Sequence, residues 1–132
     1  ATLTLEWSAE PGVSSVPSDP VRLQSVLAKL IDNAIKFTPG GRVDVRAFPG
    51  EGTQGPRIEV ADTGEGIRPD LIETIFAPFQ QGEDFSRRQH GGTGLGLHLA
   101  RRQCRMMRCR LTVASTEGQG TTFTIAFPAP AA

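Results

Sequence analysis

A segment bounded by Asp19-Pro20 and Pro39-Gly40-Gly41 constrains this chain most, because as a helix it carries two faces that cannot share one environment. At ~100° per residue, Arg22, Ser25, Lys29, Asp32, Asn33 and Lys36 share a polar arc of roughly 100°. Leu23, Leu27, Leu30, Ile31 and Ala34 occupy the opposite face. Asp19 suits the N-cap, Pro20 the first turn, and Pro39 stops the helix at about Phe37. Its apolar face needs a second layer, and the flanking segments supply strands. Residues 2–7 alternate as an edge strand, and Val43, Val45 and Ala47 alternate with polar residues, as do Ile58 and Val60. Residues 49–56 read as the hairpin connection between the latter two. Residues 69–75 read as a short helix, 93–107 as a second long one, and 110–116 and 121–127 as a final hairpin. The expected fold is α+β: a two-layer sandwich with helices on one face of a mixed, mostly antiparallel sheet of about five strands, its other face solvated.

At 132 residues, 38% of them hydrophobic, the chain suits one domain with one core. That domain is expected over residues 1–127, with 128–132 a Pro/Ala tail or the start of a linker. Lys plus Arg and Asp plus Glu balance at 14 each, so no overall basic field points to nucleic acid. Apolar runs fall far short of the ~20 residues that span a bilayer, and no membrane segment is expected. The start of the chain lacks the features of a secretion signal. Cys104 and Cys109 form no C-x-x-C pair and read as idle buried thiols rather than a disulfide or metal site.

Three polar and glycine-rich clusters follow one another in fixed order. The first, Asn33-Ala-Ile-Lys36-Phe37-Thr38, closes the amphipathic helix. Lys29, Asn33 and Lys36 are neighbours on its polar face. Such a face is usually just solvated, but asparagine is a mediocre helix former with no obvious purpose there. A neutral amide oxygen suits Mg²⁺, and an ammonium suits phosphate. The second cluster, Asp62-Thr63-Gly64-Glu65-Gly66-Ile67, ends a strand. Its carboxylate can accept a hydrogen bond from an exocyclic amino group such as adenine's, while the glycines let the backbone bend or a flat ring pass. Alone, it would be a capped turn. An aspartic-protease reading would need a dimer and a different glycine pattern. The third cluster, Gly91-Gly92-Thr93-Gly94-Leu95-Gly96-Leu97, opens the second long helix, where free N–H groups favour phosphate. Its G-x-G-x-G spacing after polar Ser86-Arg87-Arg88-Gln89 is no dinucleotide fingerprint, and no P-loop occurs anywhere. Together the clusters hold the inventory of a nucleotide site.

Their order and wording resemble the catalytic, ATP-binding domain of bacterial sensor histidine kinases, in the superfamily shared with gyrase and heat-shock chaperone ATPases. The resemblance runs from about Asp19 to Phe127 and implies a Bergerat-type sandwich with three helices on one face. Asn33 matches the metal-binding asparagine of the family's N box, Lys36 the lysine that approaches the phosphates, and Phe37 the aromatic beside the base. Lys29, counted with the ATP contacts, stands where the family usually has another asparagine. Asp62 matches the adenine-binding aspartate, with Gly64, Gly66 and Ile67 as pocket wall. Thr121 matches a threonine that supports the base through water. Ile75-Phe76-Ala77-Pro78-Phe79 matches the F box, in which Phe76 and Phe79 would latch the root of an ATP lid spanning 80–91. Gly92, Thr93, Gly94, Leu95 and Gly96 match the phosphate loop. Arg88 matches a γ-phosphate contact and joins Asn33 and Lys36 as the catalytic set. His90 and His98 lack the acidic neighbour of a phospho-acceptor, and His98 reads as a satisfied helix histidine. Arg108-Cys109 replace two glycines usual in the family.

The implied function is to bind Mg²⁺–ATP and present the γ-phosphate to a histidine on a separate dimerisation domain of the same protein. A response-regulator receiver domain is the next partner. That makes the chain the catalytic part of a protein histidine kinase, cytoplasmic, in a parent that is soluble or membrane-anchored. A lysine at position 29 replaces the water-activating glutamate of the gyrase and chaperone branches and disfavours an independent ATPase. The alternatives are a regulatory module that holds nucleotide or another ligand without chemistry, and a serine kinase acting on an anti-anti-sigma protein.

Overall fold

The computed structural model describes residues 3–9, 19–38, 40–50, 54–72, 74–76 and 96–128. Among them run β1 (Leu3–Ala9), α1 (Pro20–Lys36), β2 (Gly41–Phe48), β3 (Arg57–Asp62), α2 (Pro69–Ile72), α3 (Gly96–Met106), β4 (Arg110–Thr116) and β5 (Gly120–Ala126). The five strands form one sheet in the order β1-β2-β3-β5-β4. β1 and β2 are parallel, joined through α1 as a parallel pair requires, and the remaining pairs are antiparallel. The expected α+β architecture is therefore present, with its mixed sheet. Arg88, His90, Gly92, Thr93, Gly94 and Leu95 lie outside the described residues, as do Phe79 and all of the expected lid, 80–91.

Register sorts the side chains. Val45, Val60, Phe123 and Val113 stand in one cross-strand row, and Ala47, Ile58, Ile125 and Leu111 in the next. Val45, Val60, Phe123, Ile58, Ile125 and Leu111 are buried, and α1 and α3 cover them with Val26, Leu30, Ala34, Ala100 and Cys104. Each large apolar side chain taken out of water contributes ~1.5–3 kcal/mol. The opposite face is polar and laced with ion pairs, including Arg42 with Glu6 and Asp44, and Arg57 with Glu59. Those pairs are partly exposed and contribute little each.

α1 begins as its sequence requires: the Asp19 carboxylate accepts from the N–H groups of Val21 at 3.0 Å and Arg22 at 3.2 Å. Such a cap contributes ~1 kcal/mol. The buried stripe of α1 is wider than periodicity against a sheet alone suggests. Val26, left off the apolar face, is fully buried, because α1 packs on α3 as well as on the sheet. Among the described residues α2 covers Pro69–Ile72 of the expected 69–75, and 74–76 form a turn. α3 ends without a glycine: Cys109 N–H returns to Cys104 O at 2.8 Å while Arg108 adopts φ 62°. A side chain in this left-handed region costs roughly 1–2 kcal/mol.

Candidate nucleotide site

The alternation that buries Ile58 and Val60 continues to Asp62, so its carboxylate is on the helix-covered face of the sheet. Val43, Asp62, Thr121 and Ser115 form the last row, beyond the two apolar ones. Burial pushes the Asp62 carboxyl above the ordinary carboxylate range, against the pull of the Gly64 N–H, the Thr121 backbone and the Thr38 hydroxyl. The Gly64 N–H donates to Asp62 Oδ1 at 2.9 Å. Thr38 is buried, and its Oγ1 is the buried side-chain polar atom without a well-aligned partner among the described residues. A buried hydroxyl so poorly aligned with a partly desolvated carboxylate leaves polar capacity for something not in the chain.

The loop after Asp62 is stitched to three elements. The Glu65 N–H donates to Phe37 O at 3.3 Å, the Thr63 N–H to Arg42 O at 3.0 Å, and the Gly118 N–H to Glu65 O at 2.7 Å. Position 64 must be glycine: a Cβ there would collide with Phe37 O and Thr38 Oγ1. Gly66 has φ 73°, and a Cβ on it would strike the backbone of Thr116. These close approaches bring the end of α1, the Asp62 loop and the β4–β5 turn together.

Ser115 was not singled out from the sequence, yet it ties the pocket wall to Thr121. Its Oγ accepts from the Ile67 N–H at 2.8 Å, donates to Gly120 O at 3.0 Å, and is 2.9 Å from Thr121 Oγ1. With its one hydrogen given to Gly120, Ser115 must accept from Thr121, so the Thr121 hydroxyl keeps free lone pairs. The signal was present in the hairpin pattern, which makes Ser115 and Thr121 cross-strand partners around 117–120.

On the helix, Phe37 caps the C-terminus of α1 and Asn33 is half-buried, its backbone carbonyl accepting from the Phe37 N–H at 3.1 Å. Lys36 is exposed and pairs with Asp32 at 3.1 Å. Lys29 is engaged elsewhere. Its ammonium donates to Ser25 Oγ at 2.6 Å and to Gln103 Oε1 of α3 at 3.2 Å, while Gln103 Nε2 donates to Ser25 Oγ at 3.1 Å. The structure thus gathers Phe37, Asp62, Gly64, Gly66, Ile67 and Thr121, and gives Lys29 to the α1–α3 contact. Gly96 opens α3 with open space where a Cβ would stand.

His98 Nδ1 is 3.2 Å from Phe76 O. A carbonyl only accepts, so Nδ1 carries the hydrogen, and the ring is used in packing. Phe76 meets Phe123 edge-on at 6.2 Å, and the Arg101 guanidinium lies 4.7 Å from its ring centre, which fixes the root of the following segment to the core. Cys104 and Cys109 are free and buried, and burial pushes the Cys104 thiol up to about 12. Among the described residues no cluster of three His, Cys, Asp or Glu could hold a metal, and no helix is long and apolar enough to cross a membrane.

Comparison with known proteins names the class of this sandwich. Residues 18–131 match the family described as histidine kinase-, DNA gyrase B-, and HSP90-like ATPase, and the chain belongs to that family. The autoinducer 2 sensor kinase/phosphatase LuxQ of Vibrio parahaemolyticus is 40% identical over 115 residues, covering 84% of this chain and 13% of that protein. The aerobic respiration control sensor protein ArcB of Escherichia coli is 40% identical over 134 residues, covering 96% and 17% respectively. Full-length ShkA, solved in complex with AMPPNP, superposes with a TM-score of 0.82 at 32% identity over 98% of this chain and 26% of its own. The catalytic domain of the histidine kinase ThkA does so with 0.77 at 25% identity, over 96% of this chain and 80% of its own. Within the family, then, the chain is a histidine-kinase catalytic domain, and it spans only a small part of the sensor kinases it matches.

Proposed function

We propose that this domain binds ATP with its adenine against Asp62 and donates the γ-phosphate to a histidine on a separate dimerisation domain of its parent protein. One observation carries the reading: a partly desolvated carboxylate, only weakly met by the buried Thr38 hydroxyl, next to a position that only glycine can occupy. Asp62 accepts from the adenine amino group, and Thr121, donating to Ser115, offers its lone pairs to the base or to a bridging water. The Asn33 side-chain oxygen would be a ligand of a Mg²⁺ carried by the phosphates, and Lys36 would exchange Asp32 for a phosphate oxygen. When bound, the metal neutralises charge on the triphosphate. The residues present fit both groups: one neutral oxygen suffices for an ion that keeps its waters and phosphate ligands. Arg88 and the glycine loop 92–96 complete the phosphate contacts. After transfer, a response-regulator receiver domain takes the phosphoryl group from the histidine.

The test is transfer in trans. Mixed with the histidine-bearing domain of its parent and labelled ATP, the domain is expected to produce acid-labile phosphohistidine on that partner, only with Mg²⁺. Tight ATP binding with no transfer would instead favour the regulatory module.

A further inference from the structure

The end of the sheet remote from Asp62 has a cleft that the nucleotide site does not use. There β3 begins, β5 ends and β4 begins, beside the last turn of α3, and they border a cavity of about 600 Å³. Arg57, Arg105, Arg108 and Arg110 line it together with Phe127 and Pro128. Arg57 and Arg110 both stand in register with Ala126, one on each flanking strand. Arg57 is held in place, its Nε 3.2 Å from Glu59 and its guanidinium 4.3 Å from the ring centre of Phe48. Arg105, Arg108 and Arg110 are exposed, and none has a carboxylate partner among the described residues. Arg108 is also the non-glycine residue with positive φ among the described residues.

A cation near a helix C-terminus is ordinary, and that accounts for Arg105. It does not account for four arginine residues lining one concavity, three of them exposed and without a carboxylate partner among the described residues. Nor does it account for a long cationic side chain at a backbone position that glycine adopts without strain. We propose that this cleft binds a small organic polyanion: a molecule with an apolar body and two or more phosphate or carboxylate groups. Guanidinium forks pair bidentately with such groups. The volume lies in the range of small-molecule sites, and exposed Pro128 with half-buried Ala126 offers a small apolar wall. The cleft and Asp62 are at opposite ends of β3, ~17 Å apart along the strand, so the ligand and the adenine occupy different sites.

The experiment is an NMR titration of the whole chain with a naphthalene disulfonate as probe and inorganic phosphate as comparator. Saturable shifts are expected at Arg57, Arg110 and the end of α3, persisting when Mg²⁺–ATP is present, with the probe bound more tightly than phosphate. Arg105→Gln combined with Arg110→Gln should weaken the probe roughly tenfold or more. Arg108→Gly supplies the control against misfolding: its melting temperature should hold or rise while probe affinity falls. Shifts confined to the Asp62 loop, displacement of the probe by Mg²⁺–ATP, or affinity unchanged in these variants would overturn the proposal. So would failure of the probe to bind where poly-glutamate does, which would make the cleft a contact for an acidic protein.

Discussion

At the scale of single residues, Asp62 links stability to the proposed recognition of the base. Burial raises its folded pKa above the ordinary 3.8, so the folded chain holds a proton more tightly than the unfolded one. Stability from this group is therefore full below the unfolded value and is lost as pH rises through the folded value. At neutral pH the ionised carboxylate costs stability that binding must offset. Asp62→Asn should melt higher than the parent near pH 7, and the gap should close as pH falls toward the ordinary carboxylate value. Thermal melts of both proteins across pH measure it. The same change should erode base choice. Guanine offers a carbonyl where adenine offers an amino group, and an unpaired buried polar group costs ~1–3 kcal/mol, or roughly five- to a hundredfold in affinity. ATP should outcompete GTP by that margin, and Asp62→Asn should narrow it; equal binding by the parent would make Asp62 only a turn residue. Arg108→Gly balances opposing terms: it relieves ~1–2 kcal/mol of left-handed strain and adds ~0.5–1 of chain entropy. A net gain of about 0.5–1 kcal/mol in chemical unfolding is expected.

At the scale of elements, the contact between α1 and α3 rests on Val26 and Cys104 inside and on the Lys29–Ser25–Gln103 triangle at its rim. Lys29→Met removes two donated hydrogen bonds but leaves Gln103 on Ser25. It should cost ~1 kcal/mol in denaturant unfolding, while affinity for ATP, measured by calorimetry, should fall less than in Lys36→Met. The converse ranking would return Lys29 to the phosphates. This triangle also marks where sequence reasoning stopped. Period-two alternation at Ile58 and Val60 placed Asp62 at a strand end, while its inner-face position emerged from the register, and the Asp19-Pro20 and Pro39-Gly40 signals bounded α1 within a residue. Helical periodicity gives a helix its apolar arc but not its number of neighbours. Val26 therefore went unassigned, and Lys29 was grouped with Asn33 and Lys36 by spacing, although its partner lies 74 positions away. Ser115 was hidden for a similar reason: its role exists only once the hairpin register and the Ile67 loop meet.

At the scale of the whole molecule, the proposed function separates binding from chemistry. The core rows and the α1–α3 contact hold the Asp62 pocket together from distant stretches of chain. The position that carries a glutamate base in the ATPase branches of the superfamily is Lys29, and its ammonium here is a donor to Ser25 and Gln103. An ammonium has three donors and no lone pair, so it cannot accept a proton from water. Catalysis left to such a site is positioning and charge neutralisation, which accelerate transfer only when an acceptor is in line. The isolated domain should therefore hydrolyse ATP barely above background, and Lys29→Glu should raise that rate if position alone confers basic catalysis. Phosphate release is the measurement for both proteins, with Asn33→Ala as the metal-dependence control, expected to abolish what little activity exists. Robust hydrolysis by the unaltered domain would mean that another residue activates water and would favour an independent ATPase over a kinase that waits for its histidine.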